Sequence, residues 1–184
     1  MGGALMVVLG LVVILGIISI SYYNTFVKLR NQSDEAFSTM DVYLKKRYDL
    51  IPNLVEVVKQ YAIHEKETLE KVIGARNMAM GSQSMDDRIQ NENMLSGTLK
   101  SLFAVSENYP NLKADTSFLN LQSQLSSLEN EISQARKYYN GAVRALNTKI
   151  EMFPSNIVAN MAGFKKYPFF EAVEAERENV KVQF

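Results

Sequence analysis

No ionisable side chain precedes Lys28, and residues 2–23 read GGALMVVLGLVVILGIISISYY. As a helix this run rises roughly 33 Å, which matches a bilayer hydrocarbon core of about 30 Å. Tyr22 and Tyr23 fall where an interfacial aromatic belt would lie, with Lys28 and Arg30 just beyond them. A cleaved signal peptide is the competing reading, with Ser19-Ile20-Ser21 as its small-residue site. It lacks a basic n-region, its apolar run is too long, and no polar break follows. Residues 1–23 therefore read as a single-pass transmembrane anchor. Lys28, Arg30 and the later Lys45-Lys46-Arg47 favour an outside amino terminus and a cytoplasmic domain, a bias diluted by Asp34 and Glu35.

Past the anchor the apolar period is helical. Phe37, Met40, Leu44, Ile51, Leu54, Val58, Tyr61, Leu69 and Val72 keep a three-four spacing, with Arg47 and Glu65 in two of its slots. Met85, Ile89, Leu95, Leu99, Leu102 and Phe103 form a second stripe. Phe118, Leu121, Leu125, Leu128, Ile132, Ala135, Tyr139, Ala142 and Leu146 form a third. The chain is all-α: an N-terminal transmembrane helix and then a bundle of long antiparallel helices over 24–162. The spacing predicts helices at about 24–80, 85–108 and 116–153, with Asp115 capping the last. An aromatic loop and a short acidic helix, EAVEAERENV, follow in 163–184, and VKVQF at the extreme end is the one stretch with a trace of strand alternation. Pro52 costs about 3 kcal/mol inside a helix. Because the stripe keeps phase across it, a kink near Pro52 is favoured over a new helix capped by Asp49.

Equal counts of 20 basic and 20 acidic residues leave no net field to attract nucleic acid. The absence of cysteine excludes disulfides and thiolate metal sites. His64, in HEKE, begins like a zinc-peptidase motif, but position 68 is threonine and no second histidine exists. It reads as a solvated helix residue. Bundle di-metal sites need Glu-x-x-His pairs, which one histidine cannot supply. No nucleophile–base constellation, phosphate loop or convergent carboxylate pair stands out, so no catalytic, cofactor-binding or metal-binding residue is assigned and no enzyme activity is expected. Lys45-Lys46-Arg47 reads as a solvated face, except that Arg47 lies on the stripe. Its stem would snorkel while its head pairs with an acid across the bundle. The sequon Asn31-Gln32-Ser33 carries little weight, and the nine methionines read as adaptable packing.

RYDLIPNLVEVVKQYAIHEKETLEKVIGAR (47–76), AVSENYPNLKADTSFLNLQSQLSSLENEISQARKYYN (104–140) and FPSNIVA (153–159) resemble the LemA family of bacterial membrane proteins. The anchor and YNTFVKLRN (23–31) fit the same pattern. The resemblance implies placement in the bacterial cytoplasmic membrane, a short outside amino terminus and long antiparallel helices. It carries over no catalytic residue. RYDLIPN (47–53) and ENYP (107–110) read as bends and helix ends whose polar groups satisfy neighbouring backbone.

A single helix over 24–80 would rise about 85 Å, and the next, 85–108, would descend only about 36 Å. The third would then point away from the membrane, leaving the lower first helix without an intrachain partner. Burying each exposed apolar side chain there is worth about 1.5–3 kcal/mol. Phe26, Phe37, Met40 and Leu44 are therefore the candidates for self-association. Phe169 and Phe170 of the aromatic tail (with Phe164 and Tyr167) would cover either their own bundle or an adjacent one. The first expectation is a membrane-anchored helical scaffold that forms a homo-oligomer side by side. The second is an adaptor presenting helices to another membrane protein, such as a protease or signalling complex.

Overall fold

In the computed structural model, which describes residues 2–170, the apolar run and the first amphipathic stripe form one helix, α1 (Gly2–Tyr61). It is followed by α2 (Lys66–Met80), α3 (Met85–Ser106), α4 (Pro110–Lys113), α5 (Thr116–Glu151) and α6 (Ser155–Ala162). All regular structure among the described residues is helical. The expected acidic C-terminal helix and VKVQF lie outside them.

In α1, the side chains from Leu5 to Ile20 are exposed, as suits a lipid-facing span and not a core helix. From Phe26 onward the pattern changes. Phe26, Ser33, Ala36, Met40, Leu44, Arg47, Ile51, Leu54 and Val58 are buried at three-four spacing, the stripe of a helix packed on one face. Pro52 sits inside this helix on its solvent side, so no new helix begins at Asp49.

The described residues divide into two units, to each of which α1 and α5 contribute a segment. In the unit made of residues 40–136 and Phe170, α1 ends at a reversal over Ala62–Glu65. The Ala62 N–H still reaches Val58 O at 2.9 Å, and the Glu65 N–H then bonds to Ala62 O at 3.1 Å. Helix α2 returns along α1, where the Arg76 Nε donates to Tyr48 O at 2.7 Å. The helix expected over 24–80 is thus two antiparallel helices. His64 lies exposed in the turn between them and not within a helix. The segment AIHEKE holds no glycine or proline, so the turn leaves no mark in the apolar spacing.

Ser84 caps α3 by accepting from the Asp87 N–H at 3.0 Å. Pro110 occupies the first turn of α4, where its missing N–H costs nothing. Asp115 caps α5 as expected, accepting from the Phe118 N–H at 2.9 Å, and its other oxygen accepts from Tyr61 Oη at 2.9 Å. Tyr109 Oη donates to Glu65 at 2.9 Å, tying the α3–α5 connection to the α1–α2 turn. Within this unit α5 runs antiparallel to α1, because Asp115 meets Tyr61 and Glu129 meets Arg47.

In the other unit, residues 2–39 with 137–169, α5 is again antiparallel to α1. The Phe37 and Tyr139 rings meet edge-on at 5.9 Å, and Lys149 Nζ lies 4.9 Å from the Tyr22 ring centre. Phe26, Leu146, Ile150 and Ala159 form the core, flanked by Tyr22, Leu29, Val158, Phe164 and Tyr167. Helix α6 closes at Gly163, whose φ of 73° is a left-handed cap that a side chain would strain. Beyond it, Phe164 stacks on Phe26 at 4.9 Å. Asn147 fixes the next residues by using its amide as a strand would. Its Nδ2 donates to Tyr167 O at 2.8 Å and its Oδ1 accepts from the Tyr167 N–H at 2.9 Å. Tyr139 Oη donates to Pro168 O at 3.0 Å, and Tyr167 Oη to Asp34 at 2.9 Å.

This arrangement corrects the expectation of an uncovered stalk. Phe26, Met40 and Leu44 are fully buried within one chain, and Phe37 is half-buried against Tyr139. The extra reversal at Ala62–Glu65 inverts the direction of every later helix. The third long helix therefore runs back beside α1 instead of away from it.

Candidate functional site

The stripe of α1 places one cation where an apolar side chain would normally sit. Arg47 is 0% exposed. On α3, Glu92 occupies the equivalent slot, three residues from Ile89 and three from Leu95, and is also fully buried. Arg47 Nη2 pairs with Glu92 Oε2, while Nη1 donates to Glu129 Oε1 of α5 at 2.5 Å and to Ser96 Oγ at 2.8 Å. The second Glu92 oxygen accepts from the Tyr48 hydroxyl. Three helices are thus joined through one guanidinium, whose planar fork suits two carboxylates at once.

Burial pushes the Glu92 carboxyl upward. The charges of Arg47, and then of Arg136, pull it back, while Glu129 adds to the rise. Arg136 lies 4.7 Å from the centre of the Phe170 ring. At the edge of this unit, Arg88 of α3 pairs with Asp41 of α1. An open cleft of about 410 Å³ lies between α1 and α5, with Lys46, Asp49 and Leu50 on one wall and Gln124, Leu128 and Glu131 on the other. Its lining mixes one cation, Lys46, with the carboxylates of Asp49 and Glu131 and the hydroxyl of Ser127. Among the described residues no three histidine, aspartate or glutamate side chains group as a metal site would need.

Sequence spacing pointed to Arg47 and an acidic partner, but the guanidinium does not snorkel; the whole side chain is sealed. Glu92, Glu129, Tyr48 and Ser96 were missed. The signal for Glu92 was a charged residue occupying a stripe position of α3, the counterpart of Arg47 on α1. RYDLIPN lies inside α1 and not at a helix end, and its first two side chains feed this cluster. ENYP does lie at helix ends, where Glu107 pairs with Lys113.

The residues expected at a subunit contact fall in different surroundings. Phe26, Met40 and Leu44 are core, Phe170 is buried against Arg136, and Phe169 stays partly exposed. Of the membrane-interface candidates, Tyr22 is half-buried beneath Lys149 and Tyr23 packs edge-on against Phe164 at 5.7 Å. The Arg30 guanidinium lies 5.8 Å from the Phe164 ring centre, and Lys28 is exposed.

An exposed apolar N-terminal helix running into an all-helical bundle with a buried Arg47–Glu92 ion pair defines a membrane-associated helical protein. Within that class, the chain belongs to the LemA family, whose model matches residues 36–184. It is 27% identical to Protein LemA of Metamycoplasma hominis, over 85% of this chain and 72% of that protein. It is 26% identical to Magnetosome protein MamQ 2 of Paramagnetospirillum magneticum, over 81% of this chain and 64% of that one. Magnetosome protein MamQ of Magnetospirillum gryphiswaldense is 22% identical over 80% of this chain and 64% of its own length. The chain thus spans less than two thirds of the MamQ proteins it matches.

Proposed function

We propose that this chain is a non-catalytic helical scaffold, anchored by α1 in the bacterial cytoplasmic membrane, which presents its bundle to another membrane protein. The observation that carries the reading is the self-satisfied state of the core. The charges that a site would use, Arg47, Glu92 and Glu129, are spent on one another, and the long apolar stripes are covered within the chain. A unit finished in this way does not need copies of itself to fold, which weakens the case for self-association through the α1 stalk. Among its exposed apolar side chains, Met78, Met80 and Met94 on α2 and α3, with Ile73 nearby in sequence, are of the adaptable kind that suits protein contact. Lys28 and Arg30 support a cytoplasmic bundle with the amino terminus outside.

Crosslinking in native membranes, followed by sizing of the purified adducts, tests the proposal. A dominant adduct with one foreign membrane protein is expected. A ladder made only of this chain would overturn the adaptor reading and restore the homo-oligomer. Digestion of the bundle by protease added outside intact cells would reverse the assigned orientation.

A further inference from the structure

The corner between α5 and α6 turns an apolar surface outward. Phe153, in the turn before α6, is 79% exposed, and Ile157 (51%) and Met161 (84%), four residues apart on α6, share one exposed face. The opposite face is fixed: Ala159 and Val158 pack in the Phe26 core, and Ser155 Oγ donates to the carbonyls of Lys149 (2.8 Å) and Met152 (2.9 Å). The exposure is therefore built into the corner. It does not come from a poorly packed end.

The position of this face along α1 says what covers it. Lys149 lies on the Tyr22 ring, Ile150 shares the Phe26 core, and α5 is antiparallel to α1 here. Each further residue of α5 moves about 1.5 Å toward the anchor. By the pairing of Tyr139 with Phe37 and of Ile150 with Phe26, Met152 and Phe153 stand level with Tyr22–Asn24, at the aromatic end of the apolar span. The sequence agrees. No ionisable side chain occurs from Met152 to Phe164, whereas Lys149 and Glu151 precede this segment and Lys165 and Lys166 follow it. A short uncharged amphipathic segment followed by two lysines, held beside a membrane span, has the chemistry of an interfacial membrane element.

We infer that the α5–α6 corner is a second membrane contact, with Phe153, Ile157 and Met161 seated at the boundary of headgroups and acyl chains. The bundle is then tied to the bilayer at two places, by the α1 span and by this corner, which lies more than a hundred residues later in the chain. The occupant is lipid; a second copy of the chain is the alternative that the test must separate.

The chain contains no tryptophan, so a single introduced indole reports one position without background. The full chain carrying Phe153→Trp, or separately Met161→Trp, is reconstituted in phosphatidylcholine/phosphatidylglycerol vesicles. Leu15→Trp serves as the reference inside the span. Tyr138→Trp, at an exposed site about 20 Å away along α5, serves as the reference in water. Both corner indoles should emit to the blue of Tyr138→Trp. They should lose most of their emission to lipids brominated near the carbonyl end of the acyl chain, and resist aqueous iodide. Iodide quenching equal to that of Tyr138→Trp, with Leu15→Trp still quenched by lipid, overturns the corner contact while leaving the anchor intact. Blue emission that fades on dilution of protein among vesicles and ignores brominated lipid assigns the face to a second copy and also overturns it. Failure of Leu15→Trp to respond to brominated lipid would remove the anchor, and the corner contact with it.

Discussion

Arg47 and Glu92 form their ion pair with neither side chain exposed to water. The desolvation cost of such a pair is recovered only while both partners are present. Arg47→Ala should therefore lower unfolding stability by about 3–5 kcal/mol, since it leaves the Glu92 carboxyl sealed without its main counter-charge. The double variant Arg47→Met/Glu92→Leu should recover most of that loss, because an apolar pair of similar volume needs no solvation. Urea titrations of the two proteins, followed by circular dichroism, check both statements.

Leu44 is a core residue of the single chain, so its truncation should affect folding and not assembly. Leu44→Ala is expected to cost about 2–5 kcal/mol, the range for buried leucine. Light scattering in detergent should show the same particle size as the parent protein. A smaller particle with unchanged urea midpoint would place Leu44 at a subunit contact instead.

The Asp115 carboxyl is held below its ordinary value of 3.8, first by the Phe118 backbone N–H and then by the Tyr61 hydroxyl. A depressed folded-state pKa means that this contribution is present above about pH 4 and is lost as pH falls through the folded value. Asp115→Asn should flatten the acid limb of the stability curve. The Tyr61 phenol responds in the opposite sense. Its hydrogen bond to Asp115, and then the Asp115 charge, raise it above its ordinary value of 10.0. Its share is full below about pH 10 and fades as pH rises through the folded value. Tyr61→Phe should flatten the alkaline limb, read by thermal melts across both ranges.

Asn147 holds the residues after α6 through both backbone groups of Tyr167. In Asn147→Ala those groups lose their partners, at a local cost of about 1–3 kcal/mol. Hydrogen exchange should quicken at the Tyr167 amide and its neighbours, while amides of α3 keep their rates.

The helical class, the anchor and the α5 stripe were legible in the sequence because they rest on repeated apolar spacing. Phe118, Leu125, Leu128, Ile132, Tyr139 and Leu146 of that stripe are all buried. Asp115 was legible as a cap because its side chain acts within three residues. The reversal at Ala62–Glu65 was not. Its bonds are made by unremarkable backbone, and Tyr109, which holds Glu65, comes 44 residues later. That one omission changed which faces had partners, and so turned core residues into expected contacts. The Arg47 cluster was half legible. A charge on a stripe announces itself, but the choice of Glu92 and Glu129 depends on which helices become neighbours.

A stripe of leucines spaced three and four apart looks much the same after a shift of one turn, so hydrocarbon alone would accept several alignments of α1, α3 and α5. Arg47 and Glu92 occur once each. A bundle that closed one turn out of step would trap a solitary cation and a solitary anion in a dry interior, a penalty that the remaining leucine contacts would not offset. The greasy side chains supply most of the attraction, and two charged ones decide where the sliding stops.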